Sequence, residues 1–225
     1  MPYIKCFLIP LLLLTALGVA QDDFNTFGES SIALDHKVSK GYTANFSLKS
    51  RYFLYRDHIV QFTNQQIDIT HFSTCNLNIF HAISFGLLYR NRDWFDMGSE
   101  ELRITEQYNF KKQKMGVRYG HRFRLEQRFI DKQVISRLRY RFAVDFPLNG
   151  EKLDIGEAYL VSSIEGLLSL SKINRPQTDL RIASQIGWQL SEALKLQTGI
   201  EHRIEAFNLV AKNNLYLLTS AIIKI

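Results

Sequence analysis

The chain has 225 residues, 46 % hydrophobic content and a formal net charge of +6, values that suit one large β domain or two small ones. Beyond residue 21, no apolar run reaches the about 20 residues that a membrane-spanning helix requires, which excludes a helical membrane protein. Nine basic and two acidic residues lie between positions 114 and 141, and because the positive surplus is confined to this region, we expect no nucleic-acid partner.

The N-terminus has the features of a cleaved secretory signal at residues 1–20. Lys5 supplies a positive charge, an apolar run extends from Phe7 to Leu17, and small residues precede the expected cleavage after Ala20. We therefore expect the mature protein to span residues 21–225 and to be exported. Its single cysteine, Cys75, cannot form an internal disulfide and most resembles a small apolar filler.

A two-residue alternation of apolar and polar side chains runs through the rest of the chain. In residues 42–55, one face carries Phe46 and Leu48 while the other carries Lys49 and Arg51. This is the period of a β-strand, whereas a helix repeats every 3.6 residues. The segments that follow it are 27–38, 42–55, 59–72, 76–90, 102–111, 115–129, 134–146, 158–169, 179–190, 194–205 and 215–225. No helix of useful length is predicted.

The number of segments conflicts with a regularity of bacterial membrane barrels. Eleven segments are found, but single-chain bacterial membrane barrels have even numbers of strands. We therefore expect ten or twelve strands, and segments 27–38 and 59–72, where the alternation is weakest, are the ones most open to error. Segment 158–169 also loses its alternation, as expected at a β-bulge.

The length of the strands favours a transmembrane barrel. At about 3.3 Å per residue, segments of about 12 to 15 residues exceed the apolar band of about 25 Å, whereas strands of soluble proteins usually have about 5 to 6 residues. Aromatic side chains near the strand ends would form interfacial girdles. They are Tyr42, Tyr55, Tyr89, Trp94, Tyr108, Phe129, Phe146 and Trp188. We expect an all-β fold, a single antiparallel up-and-down transmembrane β-barrel. The alternative is a soluble exported binding barrel with its apolar face inward.

Arginine alternates with apolar residues in two consecutive segments. In a membrane barrel such polar rows face the lumen, because hydrocarbon excludes charged side chains. The expected lumen-lining residues are Arg118, Arg122, Arg124, Glu126, Arg128, Arg137, Arg139, Arg141 and Asp145. They would form either a structural ladder of arginine and carboxylate pairs that fills a narrow barrel or a narrow passage that favours anions.

The same two segments resemble a known family. The resemblance lies in the run His121-Arg122-Phe123-Arg124-Leu125-Glu126-Gln127-Arg128-Phe129, then Arg137-Leu138-Arg139-Tyr140-Arg141 and Pro147-Leu148, and later in Asn174-Arg175 and Leu194-Lys195-Leu196. These runs are similar to the signature of domain of unknown function 2490, a family of exported Gram-negative proteins. The resemblance implies an outer-membrane β-barrel of unassigned activity and supplies no catalytic residues.

Hydrolysis of phospholipid is the alternative activity. His121 and Ser136 have the apolar parity of neighbouring strands and could pair as base and nucleophile on the outer wall, but no third group that would orient them is identifiable. The six histidines lack the spacing of metal ligands, and no Gly-rich phosphate loop occurs, so we expect neither a metal nor a cofactor. The loop at residues 91–99 is expected to be an interfacial anchor, with ligand contact as the alternative.

These observations predict a protein of the cell outer membrane without enzymatic activity, serving as a structural barrel or as a narrow anion-favouring passage. The expected partners are outer-membrane lipid, the barrel assembly machinery and, if the lumen is open, a small anionic solute.

Overall fold

The computed structural model describes residues 24–56, 58–92, 98–131 and 133–225. The predicted signal peptide at residues 1–20 lies outside these residues. The strands are β1 (Asn25–Lys37), β2 (Tyr42–Arg56), β3 (Ile59–Asn76), β4 (His81–Arg92), β5 (Glu100–Lys114), β6 (Val117–Ile130), β7 (Gln133–Pro147), β8 (Ala158–Ser171), β9 (Gln177–Gln189), β10 (Leu194–Glu205) and β11 (Lys212–Lys224). Among the described residues, no helix is long and apolar enough to cross a membrane.

The eleven strands close into one barrel in which each strand pairs with its neighbours in sequence. All these pairs are antiparallel except the closing pair of β1 and β11, which is parallel. The expected ten or twelve strands were therefore wrong, although the alternation itself had indicated eleven. An odd meander must close with two strands that run in the same direction, and a parallel ladder satisfies their backbone groups almost as well as an antiparallel one.

The register of the ladders fixes the tilt of the strands. Following hydrogen-bonded partners once around the barrel from Gln133 on β7 leads back to β7 at Pro147, fourteen residues further along. For eleven strands at about 4.8 Å spacing and about 3.3 Å rise per residue, this offset gives a tilt of about 40°. Register shifts occur near Thr26, Tyr52 and Phe53. None accompanies the slipped alternation in β8.

The two faces of the sheet have opposite chemistry, and the apolar one lies outside. Phe46, Phe85 and Leu138 are each about half exposed, whereas Glu101 and Glu126 are completely buried inside. This is the reverse of a soluble barrel, whose apolar side chains fill the centre. Glu106, opposite Phe85 on the outward face, interrupts the apolar exterior with a carboxylate.

Aromatic and histidine rings form a continuous cluster on the outer wall across β4 to β7. His121 stacks against Phe110 at 5.6 Å and contacts Phe142 at 5.1 Å, and Phe123 packs against Tyr140 at 4.9 Å between ring centroids. Of the predicted girdle residues, those with about 40 % exposure are Tyr42, Tyr89, Tyr108, Phe129 and Trp188. Trp94 lies outside the described residues.

The turn between β5 and β6 depends on glycine. Met115 and Gly116 have φ angles of 49° and 73°, as in a two-residue type I′ hairpin turn. A Cβ atom on Gly116 would lie 2.8 Å from the backbone oxygen of Glu151, so the neighbouring loop approaches too closely for a side chain. The turn and this loop are therefore packed together at one end of the barrel.

The parallel closure can be tested by disulfide cross-linking in a Cys75→Ser background. Ser30 faces Thr219 and Leu34 faces Ile223 across the β1–β11 ladder, so cysteines at either pair lie within disulfide range and should cross-link on oxidation. The exchanged pairs, Ser30 with Ile223 and Leu34 with Thr219, serve as controls and should stay reduced. Efficient cross-linking of the exchanged pairs, seen by non-reducing gel electrophoresis, would mean that the two strands run antiparallel.

Candidate functional site

The interior of the barrel holds the candidate functional site. A cavity of about 690 Å³ is lined by seven of the nine residues predicted to face the lumen: Arg122, Arg124, Glu126, Arg128, Arg137, Arg139 and Arg141. The other two, Arg118 and Asp145, pair with each other toward the end where β6 begins. The alternation brings these side chains to one wall, because β6 and β7 are adjacent and in register.

Glu101 is the first of four carboxylates around which the interior arginines gather. Its oxygens lie 2.6 Å from Arg92, 2.7 Å from Arg103 and 2.6 Å from Arg128, and 3.6 Å from Arg90. No part of the Glu101 side chain reaches solvent. Charge-assisted contacts of this length are the strong class of hydrogen bond, so a single carboxylate fixes arginines from three strands.

Glu126 and Glu165 are the second and third carboxylates, and Arg139 joins them. One guanidinium nitrogen of Arg139 lies 2.7 Å from Glu126 and the other lies 2.6 Å from Glu165. Glu126 also contacts Arg103 and Arg124 at 3.3 and 3.4 Å. The remaining contacts of Glu165 are with Arg122 at 3.2 Å and Arg181 at 3.9 Å.

Glu29 completes the set on the opposite side of the barrel. It accepts from Lys49 and Arg51 at 2.8 Å each and lies 3.5 Å from Arg203. The guanidinium of Arg203 also lies 3.6 Å above the ring of Tyr216, a cation–π contact. Tyr216 thus brings β11 into the same group of interacting side chains.

We call the interior ion pairs the ionic belt. They form two groups, one around Glu29 and one around the other three carboxylates, and Gln66 joins the two groups by accepting a hydrogen bond from Arg51 and donating one to Asp68. The members of the belt are Glu29, Lys49, Arg51, Asp68, Arg90, Arg92, Glu101, Arg103, Arg122, Arg124, Glu126, Arg128, Arg139, Glu165, Arg181, Glu201 and Arg203. These are eleven basic and six acidic residues, drawn from ten of the eleven strands. The belt therefore carries five more positive than negative charges.

The tilt of the strands explains how residues so distant in sequence form one belt. At about 40°, each step to the next strand along a ladder also moves about 3 Å along the barrel axis. With this displacement, Glu29 on β1, Asp68 on β3 and Glu126 on β6 lie at nearly the same level. Arg122 and Arg141 lie about 5 to 10 Å from this level, toward the end where β6 begins.

Arginines stand directly opposite each other on β6 and β7, on the wall of the cavity. Arg122 faces Arg141, and Arg124 faces Arg139. Like charges in such cross-strand positions repel each other. The side chain of Arg141 donates no hydrogen bond to any described residue, and its buried Nε is unpartnered. Positive charge is thus held on this wall without enough carboxylates to balance it.

Four important carboxylates were not among the predicted site residues: Glu29, Asp68, Glu101 and Glu165. Each has inward parity on its strand, which the sequence did offer as a signal. Glu101 preceded the predicted start of its segment, and Glu29, Asp68 and Glu165 lay in the three segments where the alternation is weak or lost. Of the predicted pair on the outer wall, His121 faces Phe142 and Ser136 faces Gln127, so the structure does not bring them together.

A different histidine and serine meet on the outer wall. His71 and Ser73 are two residues apart on β3, and Nε2 of the histidine lies 3.1 Å from Oγ of the serine. The hydroxyl of Tyr42 lies 2.9 Å from the same Oγ, and the ring of Phe46 packs on His71 at 4.4 Å. The spacing His-x-Ser in one strand was the signal that sequence reasoning missed.

The predicted loop at residues 91–99 can be placed only in part. In the loop at 91–99, residues 93–97 lie outside the described residues, so its proposed role as an anchor stays a prediction. Among the residues that the structure describes, no three histidine, cysteine or acidic side chains are grouped in a way that could hold a metal ion.

The belt predicts that removing one of its carboxylates lowers the free energy of unfolding strongly. Replacing Glu126 with Gln leaves Arg103, Arg124 and Arg139 with less negative charge among them, and breaking a buried ion pair by removing one partner costs about 3 to 5 kcal/mol. Unfolding by urea in detergent micelles should show this loss. Asp145→Asn is the matched control, because its partner Arg118 is 54 % exposed and such pairs contribute about 1 kcal/mol or less. Equal losses in the two variants would contradict the role given to Glu126.

Comparisons with known proteins agree with this architecture. Among solved structures, the fold is similar to that of LpxR from Salmonella typhimurium, an outer-membrane barrel. The TM-score is 0.50, the match covers 81 % of this chain and 83 % of that one, and the sequences are 7 % identical, so the likeness concerns the fold alone. A search of curated protein sequences found no match. Residues 30–210 match the family described as protein of unknown function, DUF2490, and the chain therefore belongs to that family.

Proposed function

We propose that the protein is an outer-membrane β-barrel whose lumen is a narrow aqueous compartment that favours anions. The observation that carries this proposal is the distribution of charge. The apolar rows form the outside of a closed barrel, and the cavity inside is lined by twelve basic and seven acidic side chains.

A membrane location is supported by the length of the strands and by the outward face. A strand of about 14 residues tilted by about 40° spans more than 30 Å along the barrel axis, enough for an apolar band of about 25 Å. Exposed side chains such as Phe46, Ile83 and Leu138 would be unfavourable in water. The alternative of a soluble exported barrel would need these residues in the interior, where the ionic belt lies.

The preference for anions follows from the surplus of five positive charges in the cavity lining. Rings of arginine and lysine lower the energy of an anion in a pore and raise that of a cation. The side chains of the belt also extend into the lumen from ten strands and narrow it, as interior side chains do in smaller barrels. Flow through the lumen should therefore be small and selective.

Two measurements on the same preparation test the proposal. The protein should fractionate with the outer membrane and show heat-modifiable mobility on gels, as expected of a folded barrel. In planar bilayers under a salt gradient, it should give a small conductance with a reversal potential that indicates anions, and Arg122→Ala should reduce this selectivity. A cation-selective reversal potential, or release in soluble form without detergent, would overturn it.

A second candidate, hydrolysis of a lipid ester, is favoured by the contact between His71 and Ser73. Ser73 and Tyr42 border an outer-wall groove of about 980 Å³ with a mostly apolar lining, which suits an acyl chain. In this candidate, His71 would take the proton as Ser73 Oγ attacks the ester carbonyl, and would return it to the departing alcohol. Water would then release the acyl group from the serine.

Hydrolysis of a fluorescent phospholipid in mixed micelles tests the second candidate. Activity should fall to background in both Ser73→Ala and His71→Ala, because either change removes one half of the nucleophile and base pair. Ser162→Ala removes another outward-facing serine, which contacts Ser184, and should keep full activity. Absence of activity in the unaltered protein, or equal activity in all variants, would exclude this candidate.

A further inference from the structure

The opposed arginines on β6 and β7 leave positive charge that no described side chain neutralises. Arg122 and Arg141 are register partners, and Arg122 shares the carboxylate of Glu165 with Arg139. The guanidinium of Arg141 donates no hydrogen bond to any described residue, although it has five N–H donors. Polar groups held this way in a partly buried site destabilise the fold, so the arrangement calls for an acceptor that comes from outside.

The cavity provides space beside these arginines. On the other walls its lining includes six small side chains: Ser31, Ala33, Ser47, Ser163, Ala183 and Ser220. The side chains of Arg122 and Arg124 keep 25 % and 15 % exposure. A volume of about 690 Å³ lies within the range of small-molecule pockets and leaves room for an organic group attached to an anion.

The side-chain chemistry of Arg122, Arg124 and Arg141 favours anions with several acceptor oxygens. A guanidinium presents its donors as a planar fork that matches two oxygens of a phosphate or carboxylate. A phosphate monoester carries about 1.5 to 2 negative charges at pH 7 and three strong acceptor oxygens. Two or three converging guanidinium groups match this charge better than they match a single carboxylate.

We infer that Arg122, Arg124 and Arg141 form a binding site for a small phosphate monoester inside the lumen. The inference rests on the proposed anion-favouring lumen and names the class of anion that it takes. Arg122 and Arg124 belong to the ionic belt, where Glu165 and Glu126 hold them from one side, and Arg141 lies next to it. Lys37, Lys111 and Lys224 occupy positions of inward parity toward the barrel end where β6 begins, and positive charge there would raise the local concentration of an anion.

Calorimetric titration of the folded protein in neutral detergent tests the site, with glycerol phosphate and inorganic phosphate as probes. Glycerol phosphate should bind saturably, one molecule per barrel, and more tightly than chloride or succinate. Arg141→Ala and Arg122→Ala should each weaken binding by about tenfold or more, because each removes charge-assisted hydrogen bonds. The control Arg175→Ala changes the same residue type in an exposed loop and should bind as the unaltered protein does.

Measurements of stability distinguish a binding role of Arg141 from a purely structural one. In phosphate-free buffer, Arg141→Ala should be at least as stable as the unaltered protein, because the change relieves repulsion from Arg122. Addition of glycerol phosphate should raise the unfolding midpoint of the unaltered protein, since a ligand that binds the folded state stabilises it, and should raise that of Arg141→Ala far less. A destabilised Arg141→Ala that still binds normally would overturn the inference.

Failure of the site and failure of the proposed function give different results. No binding of either phosphate probe to a barrel that is anion-selective in bilayers would remove the site and leave the proposed function standing. Binding of glycerol phosphate that depends on Arg122 and Arg141, in a barrel without anion selectivity, would support the site and remove the passage. Equal binding of succinate would overturn the choice of phosphate.

Discussion

The structure depends on one constraint: the outer face of the barrel is apolar, so the charged guanidinium groups must face the interior. Alternation along β6 and β7 places arginine at every inward position from Arg137 to Arg141 and at most of those on β6. Once the sheet closes, these groups have as partners water, the interior carboxylates and neutral polar side chains such as Gln107 and Ser169. The ionic belt is the arrangement that results, and it connects nearly every strand to the next.

The belt divides the interior into parts with different roles. Where Glu101 and Glu126 are fully buried, Arg103, Arg128 and Arg139 have carboxylate partners, so this level links the strands. Toward the end where β6 begins, Arg122 and Arg141 face small side chains across open space, and the charge is not balanced. Proteins commonly accept local instability where they bind a ligand. The same residue type therefore stabilises one level of the barrel and creates a candidate binding site at the next.

Closure by a parallel ladder separates a physical requirement of barrels, hydrogen bonding at the seam, from an observed regularity, the even number of strands. Hydrogen bonding at the seam between β1 and β11 requires only that both edges be free and in register. An even number of strands is a regularity among bacterial barrels and places both termini at the same end. With eleven strands, β1 begins at one barrel end and β11 finishes at the other, and the seam between them is still a continuous ladder.

By itself, the sequence determined the strands and their two faces. Side-chain direction alternates with every residue of a strand, so the two-residue period assigns each side chain to one face of the sheet. It also determined that the interior would be rich in arginine. Which carboxylates pair with which arginines was decided only by the tertiary structure. Glu165 meets Arg122 and Glu29 meets Arg203 because the closed register and the tilt bring distant strands to one level, and no local pattern encodes either quantity.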